Sequence, residues 1–319
     1  MLRSWVIITA LLAVLWACSE EKKGIEKTLK EPQTEAELGE LLFFDSLLSK
    51  NNQVSCASCH KPQYAFADNV AFSFGVDSTA GLRNTPSAMN LSGHSFFFHD
   101  GRAESLEQQA SGPMENPIEM NMKVSDIVEK LNKHSQYSRF FRKIYGRPAD
   151  KENLVKALAA YEETLLTSHT AFDDYMSDKD TTRFSESAKR GRIIFNEKAK
   201  CFDCHFGPDF TGDQFRNIGL FNGRDLNDSG RIAITHEPKD LGKFKVPGLR
   251  NVSVTGPYMH NGMFKTLREV IDYYDTPDKF VSHAQNRDTL LSKPLHLTEQ
   301  DKTDLESFLK SLTDDRFLK

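Results

Sequence analysis

Apolar residues recur at helical spacing in four stretches of the chain, and polar or turn-forming residues separate them. Leu38, Leu41, Leu42 and Phe43 make one such stretch, and Ile193, Ile194 and Phe195, behind Lys189 and Arg190, make a second. Leu154, Leu158, Tyr161, Leu165 and Phe172 keep roughly the spacing of a single helix over Lys151–Met176. A fourth helix is predicted behind Thr298, which suits a helix cap, with Leu305, Phe308, Leu309 and Leu312 on its apolar face. Asn51, Asn52, Gly207, Pro208, Gly212 and Gly223 mark loops, and the polar run from Ser177 to Thr182 marks a boundary. Extended segments are scarce, so the predicted fold class is mainly α with long loops.

The first residues follow a different pattern. Arg3 supplies a positive start and Trp5 to Leu15 form an apolar run too short to span a bilayer comfortably. The run ends in Leu15-Trp16-Ala17-Cys18, so residues 1–17 read as a secretory signal peptide. The ending resembles a bacterial lipobox, which implies a lipid on Cys18, an exported, periplasmic, membrane-anchored lipoprotein, and a flexible tether over 18–33. The 319 residues leave room for two domains after it. A net charge of -4 and 39% hydrophobic residues describe a soluble body with no reason to bind nucleic acid.

An internal duplication organises the rest. The first apolar helix pattern runs into Cys56-Ala57-Ser58-Cys59-His60, and the second into Cys201-Phe202-Asp203-Cys204-His205. Downstream, Gly81-Leu82-Arg83-Asn84 is echoed by Gly248-Leu249-Arg250-Asn251, and Phe98-His99-Asp100-Gly101 by Met259-His260-Asn261-Gly262. Ser105-Leu106 and Thr266-Leu267 follow at identical spacing. Two homologous domains, 34–178 and 179–319, are the simplest account. In C-x-x-C-H the two thiols can reach both vinyl groups on one edge of a haem, and the adjacent histidine then lies under the iron. A four-cysteine zinc site or two disulfides would use the cysteines but leave His60 and His205 unexplained. Two cytochrome c-like haem domains, with two covalently bound haem c groups on Cys56, Cys59, Cys201 and Cys204, are therefore expected, the haems lying near the domain interface.

The chain resembles the bacterial diheme cytochrome c peroxidases and their MauG-type relatives. Besides the two C-x-x-C-H motifs, the resemblance is carried by Arg83-Asn84-Thr85-Pro86-Ser87, Phe98–Ala103, Ser105–Ala110, Gly112-Pro113, Glu119-Met120, Leu249–Val252 and Thr255–Gly262. It implies that the N-terminal haem binds and cleaves peroxide while the C-terminal haem passes or stores electrons. It further implies Gln109, Pro113 and Glu119 in the distal pocket of the first haem, with Glu119 as acid–base group and Gln109 assisting. His60 and His205 are the implied iron ligands. Asn84 by its side chain and Thr255 and Pro257 by carbonyls are the implied ligands of one calcium ion.

Two departures stand out. His99 occupies the inter-haem position where many relatives have tryptophan. Val76 stands where the peroxidase branch carries a capping histidine, with His94 farther along. Counting seven residues onward from Leu106 and from Leu267 gives Pro113 and Tyr274. Proline cannot bind iron, so the first iron is expected to be open. Tyr274 is the expected second-haem ligand, as in the MauG-type branch, with Tyr273 beside it and Met259 and Met263 as rivals.

The expected activity is reduction of hydrogen peroxide to water, with electrons from a small cytochrome c or copper protein. The alternatives are a MauG-type oxidase acting on a protein substrate and a non-catalytic electron-transfer cytochrome.

Overall fold

A computed structural model describes residues 28–318. Cys18, the signal segment and most of the tether lie outside the described residues. Pro32–Lys319 forms one unit. Among the described residues no helix is long and apolar enough to cross a membrane.

The two apolar patterns that precede the cysteine motifs each build the same helix pair. Helix α1 (Glu35–Phe44) is capped by the Thr34 side chain and buries Leu38, Leu42 and Phe43. It crosses helix α6 (Lys151–Glu162) at Gly39. A Cβ on Gly39 would lie 1.8 Å from the Ala157 carbonyl oxygen and 2.9 Å from Tyr161 Cβ, so no larger residue fits. In the second half, helix α8 (Glu186–Asn196), capped by Ser185, buries Ala188, Gly191 and Phe195. It crosses helix α11 (Glu299–Lys310), where Thr298, the cap expected from the sequence, forms a capping box with Asp301. There a Cβ on Gly191 would lie 1.9 Å from the Asp304 carbonyl oxygen and 2.8 Å from Phe308 Cβ. The duplication is thus visible atom by atom: Gly39 pairs with Gly191, Ala157 with Asp304, and Tyr161 with Phe308.

The single helix expected over Lys151–Met176 is two. Helix α6 stops at Glu162, and a short helix α7 (Ala171–Met176) starts again behind Thr170. The break has a chemical cause. Thr164 turns its hydroxyl back onto the Tyr161 carbonyl at 2.7 Å. The next amides bond outward, Thr167 N–H to Asn90 Oδ1 and Ser168 N–H to Asp314 Oδ2. Phe172 then packs in the core of the second half, edge-on to Phe184, Phe210 and Phe308.

Between α1 and α6 lie the attachment helix α2 (Cys56–Cys59), then α3 (Leu106–Glu115), α4 (Val124–Lys133) and α5 (Ser135–Tyr145). The second half adds a short helix α9 (Ile232–Thr235) and helix α10 (Leu267–Asp275), which is the counterpart of α3. Ser105 caps α3 and Thr266 caps α10. The turns before them also match. Phe97 bridges Ala103 and Tyr258 bridges Phe264, with Phe98 and Met259 at positive φ (63° and 72°). Strands are limited, among the described residues, to an antiparallel pair, β1 (Phe215–Arg216) with β2 (Phe244–Lys245).

Candidate haem sites and the contact between the halves

Each C-x-x-C-H motif folds into one tight turn that presents its histidine. Helix α2 is capped by Ser55 and Ser58, and the His60 amide bonds back to the Cys56 carbonyl at 2.8 Å. In the second half a 3₁₀ turn over Cys201–Asp203 does the same, with His205 N–H on the Cys201 carbonyl at 2.9 Å. Both rings are oriented by backbone. His60 Nδ1 lies 3.0 Å from the Phe66 carbonyl, and His205 Nδ1 lies 2.9 Å from that of Phe210 and 3.1 Å from that of Pro247. Burial holds both imidazoles below their usual pKa, so they are neutral, and an Nδ1–H donated to a carbonyl leaves the Nε2 lone pair free for a metal. The four cysteines are not joined as disulfides. Nor do the two pairs converge: among the described residues no three His, Cys, Asp or Glu side chains gather as a metal site, so a four-cysteine zinc centre is not formed. Burial pushes the Cys56 and Cys201 thiols up to about 12, which keeps them neutral. These features fit a haem held by two thioethers and one imidazole at each turn.

Beyond the attachment sites the halves diverge. Pro113 and Tyr274 occupy the same step of α3 and α10, seven residues past Leu106 and Leu267. After Pro113 the chain turns sharply. Met120 N–H bonds the Pro113 carbonyl at 3.2 Å, and Glu119 N–H bonds the Asn116 carbonyl at 3.0 Å. The Glu119 carboxylate accepts from Asn116 Nδ2 at 2.7 Å. Its own carbonyl accepts from Val76 N–H at 2.7 Å. Gly75 makes that approach possible, since a Cβ there would sit 2.2 Å from the Ile118 carbonyl oxygen. Burial raises the Glu119 pKa against the opposing pull of Asn116 and Arg102. The Glu119 charge is among those the Cys59 thiol feels. Gln109 lies one turn before Pro113 on α3, half-buried like Glu119.

In the second half the neighbouring tyrosines separate clearly. Tyr273 is fully buried and donates its hydroxyl to the Ile218 carbonyl at 2.6 Å. Tyr274 makes no hydrogen bond among the described residues. Burial drives its pKa far above the phenol range, and the Cys201 and Cys204 thiols are among the groups it feels. The Tyr273 hydroxyl is thus committed to the backbone, whereas the Tyr274 hydroxyl is uncommitted, although both rings pack in one apolar cluster.

Residues 33–181 match the family Di-haem cytochrome c peroxidase, and residues 188–313 match the family Cytochrome c. The methylamine utilization protein MauG of Methylorubrum extorquens is 35% identical, over 94% of this chain and 85% of its own length. The chain belongs to the di-haem cytochrome c peroxidase family. It carries two haem c groups accordingly. Another relative is the cytochrome c551 peroxidase of Nitrosomonas europaea, 34% identical over 82% of this chain and 78% of its own. Among solved structures, a MauG-like protein associated with microbial copper homeostasis superposes with a TM-score of 0.82 at 28% identity, covering 94% of this chain and 97% of that one.

In this family member the two halves meet through charged and aromatic side chains. His99 Nε2 lies 2.8 Å from the Asn84 carbonyl, and the His99 carbonyl accepts from Lys245 N–H of the second half at 2.7 Å. Burial lowers the His99 pKa, so the ring is neutral near pH 7 and any pH dependence it confers lies on the acid side. Asn84 N–H bonds the His260 carbonyl at 2.7 Å, and the His260 ring stacks on Phe244 at 3.8 Å. Arg83 joins the halves by two bonds to Asp228, at 2.7 and 2.8 Å, and is held within its own half by one to Asp100 at 2.6 Å. Asp228 and Phe244 carry no motif signal and were not anticipated. Arg83 lay within a repeated motif, but its partner is 145 positions away and could not be read from it. His94 is held by Lys245 Nζ, 3.0 Å from its Nδ1, and Val76 is buried core.

Proposed function

We propose that this protein is a peroxidase that reduces hydrogen peroxide to two waters with two protons and two electrons, the electrons coming from a small cytochrome c or copper protein. The observation that carries the reading is Glu119. It is a half-buried carboxyl with a raised pKa, held in the turn after α3 by the Asn116 side chain, with its carbonyl on Val76 N–H. The haem supplies the iron on which the peroxide bond is polarised and the electrons that break it. With haem bound, Glu119 would take a proton from one peroxide oxygen and return it to the other, which would leave as water. The raised pKa suits both halves of that transfer. Gln109, one turn before Pro113, orients the peroxide by its amide. Pro113 offers no ligand where the other half has Tyr274, so His60 would be the first iron's protein ligand, and His205 with Tyr274 would hold the second.

His99 lies between the two haems as a neutral bridge. The calcium reading is supported by Asn84, whose Nδ2 is committed to the Val70 and Ala71 carbonyls at 3.1 and 3.3 Å, leaving Oδ1 as the donor. Its backbone tie to His260 brings it to the segment that holds Thr255 and Pro257. The haem domains are divided near the Ser177–Thr182 break, and the chain is exported and anchored through lipidated Cys18.

Tyr274 favours a second reading. A phenolate stabilises oxidised iron, and a second haem that stores an oxidising equivalent suits a MauG-type oxidation of a protein substrate. Steady-state peroxide turnover with a panel of reduced small cytochromes and copper proteins separates the two. Glu119→Gln is expected to retain both haems and to slow peroxide cleavage by roughly 10²- to 10⁴-fold in stopped-flow measurements. Unchanged kinetics would remove Glu119 from the mechanism.

A further inference from the structure

The helix crossing at Gly39 and Gly191 sets the two halves in register, and one buried position breaks the match. Tyr161 pairs with Phe308, so the next residue of α6, Glu162, pairs with Leu309 of α11. Leu309 belongs to the apolar core against which Cys201 packs. Glu162 stands in the same place beside Cys56, whose thiol feels its charge. It is only 7% exposed, and its carboxyl makes no hydrogen bond or ion pair among the described residues. The groups that share its surroundings are Cys56 of α2, Tyr161 on its own helix and, across Tyr161, Glu40 of α1. Of the charged groups on the other helices packed on α6, Glu107 sits in the first turn of α3 with no side-chain partner among the described residues, while the following are engaged elsewhere. Glu115 of α3 accepts from Val124 N–H, Lys130 of α4 binds the Leu47 and Ser49 carbonyls and Asn52, and Lys133 pairs with Glu129. An unpaired buried carboxyl contributes nothing to packing that leucine would not do better, as the second half demonstrates. Burial alone pushes its pKa up to about 8, so it exchanges its proton near neutral pH.

We propose that Glu162 is a proton-linked redox group of the first haem: its carboxyl releases a proton to solvent when that haem gives up an electron, and takes one back when the haem is reduced. The inference rests on haem attachment at Cys56 and Cys59. A carboxylate at the attachment edge favours the more positive, oxidised haem, and a neutral acid favours the reduced one. Peroxide reduction draws electrons from this haem, so a negative charge formed at that moment lowers the cost of oxidation. The second haem, with Leu309 at the matching place, lacks the device.

The test is a pH series of redox titrations on the full holoprotein, following each haem by its own absorbance. Between the carboxyl's two pKa values, the oxidised-to-reduced ratio of the first haem at fixed potential is expected to change tenfold per pH unit, the one-electron equivalent of about 59 mV. The second haem serves as internal control and is not expected to follow Glu162. Glu162→Gln and Glu162→Leu are expected to abolish the dependence while retaining two haems by mass. Redox-difference infrared spectra of the unsubstituted protein should show a protonated carboxyl band lost on oxidation, which the Gln variant lacks. A first-haem ratio that does not change with pH, or a dependence that survives in both variants, overturns the proposal. A mass showing no haem on Cys56 and Cys59 would instead overturn the attachment on which it rests.

Discussion

Exchanging each of the two adjacent tyrosines for phenylalanine separates a packing role from a ligand role within one helical step. Tyr273→Phe deletes a hydroxyl that donates to the Ile218 carbonyl at 2.6 Å from a fully buried ring. A neutral buried hydrogen bond of this kind is worth roughly 0.5–1.5 kcal/mol, with more lost if the carbonyl stays unsatisfied. For a body of this size that is a fall in Tm of about 2–4 °C per kcal/mol. The haem spectra should not change, because the ring remains and its hydroxyl faces the core. Tyr274→Phe removes no hydrogen bond among the described residues, so the protein scaffold loses little. If Tyr274 ligates the second iron, that haem is expected to give a low-spin ferric signal that converts in the variant, while the first haem, open at its sixth position, is expected to give a high-spin signal that stays. Calorimetry and low-temperature electron paramagnetic resonance on the same two samples decide the matter. A converted signal in the Tyr273 variant, with an unchanged one in the Tyr274 variant, would refute the assignment. A sulfur-to-iron charge-transfer band at the second haem would refute both and return the ligand to Met259 or Met263.

Other outcomes follow from packing and charge. Gly191→Ala places a methyl group 1.9 Å from the Asp304 carbonyl oxygen, so α8 and α11 must part. A loss of roughly 1–3 kcal/mol is expected, and an unchanged unfolding midpoint in urea would show that the crossing is looser than described. Glu162→Gln should gain stability over the unsubstituted protein as pH rises from the unfolded carboxyl value of 4.5 to the folded value near 8. In that window the native carboxyl binds a proton that the unfolded chain has lost. The gain should grow by about 1.4 kcal/mol per pH unit and level off beyond, and a pH-independent difference in urea unfolding would contradict the linkage. Cys18→Ser should release the protein from membranes if a lipid on that residue holds it there. Mass spectrometry showing an unmodified mature N-terminus would end that reading.

Much of this protein was written in short stretches of sequence. The C-x-x-C-H turns, the cap at Thr298 and the repeated helix patterns all depend on residues within a few positions of one another, so residue type and spacing suffice to find them. The duplication then located Pro113 opposite Tyr274 by counting alone. Long-range geometry decided the rest. Apolar spacing carried one helix from Lys151 to Met176, but Asn90 and Asp314, distant in sequence, take the amides of Thr167 and Ser168 and break it in two. Tyr273 and Tyr274 are equivalent as letters and differ in which hydroxyl is committed to the backbone. Arg83 finds Asp228 across 145 positions, and Glu162 is remarkable neither by type nor by neighbours until α6 is laid against α1 and the attachment helix. Burial and pairing are properties of where distant segments converge. A residue's pKa, its partner and its freedom to react follow from that convergence rather than from its immediate neighbours in the chain.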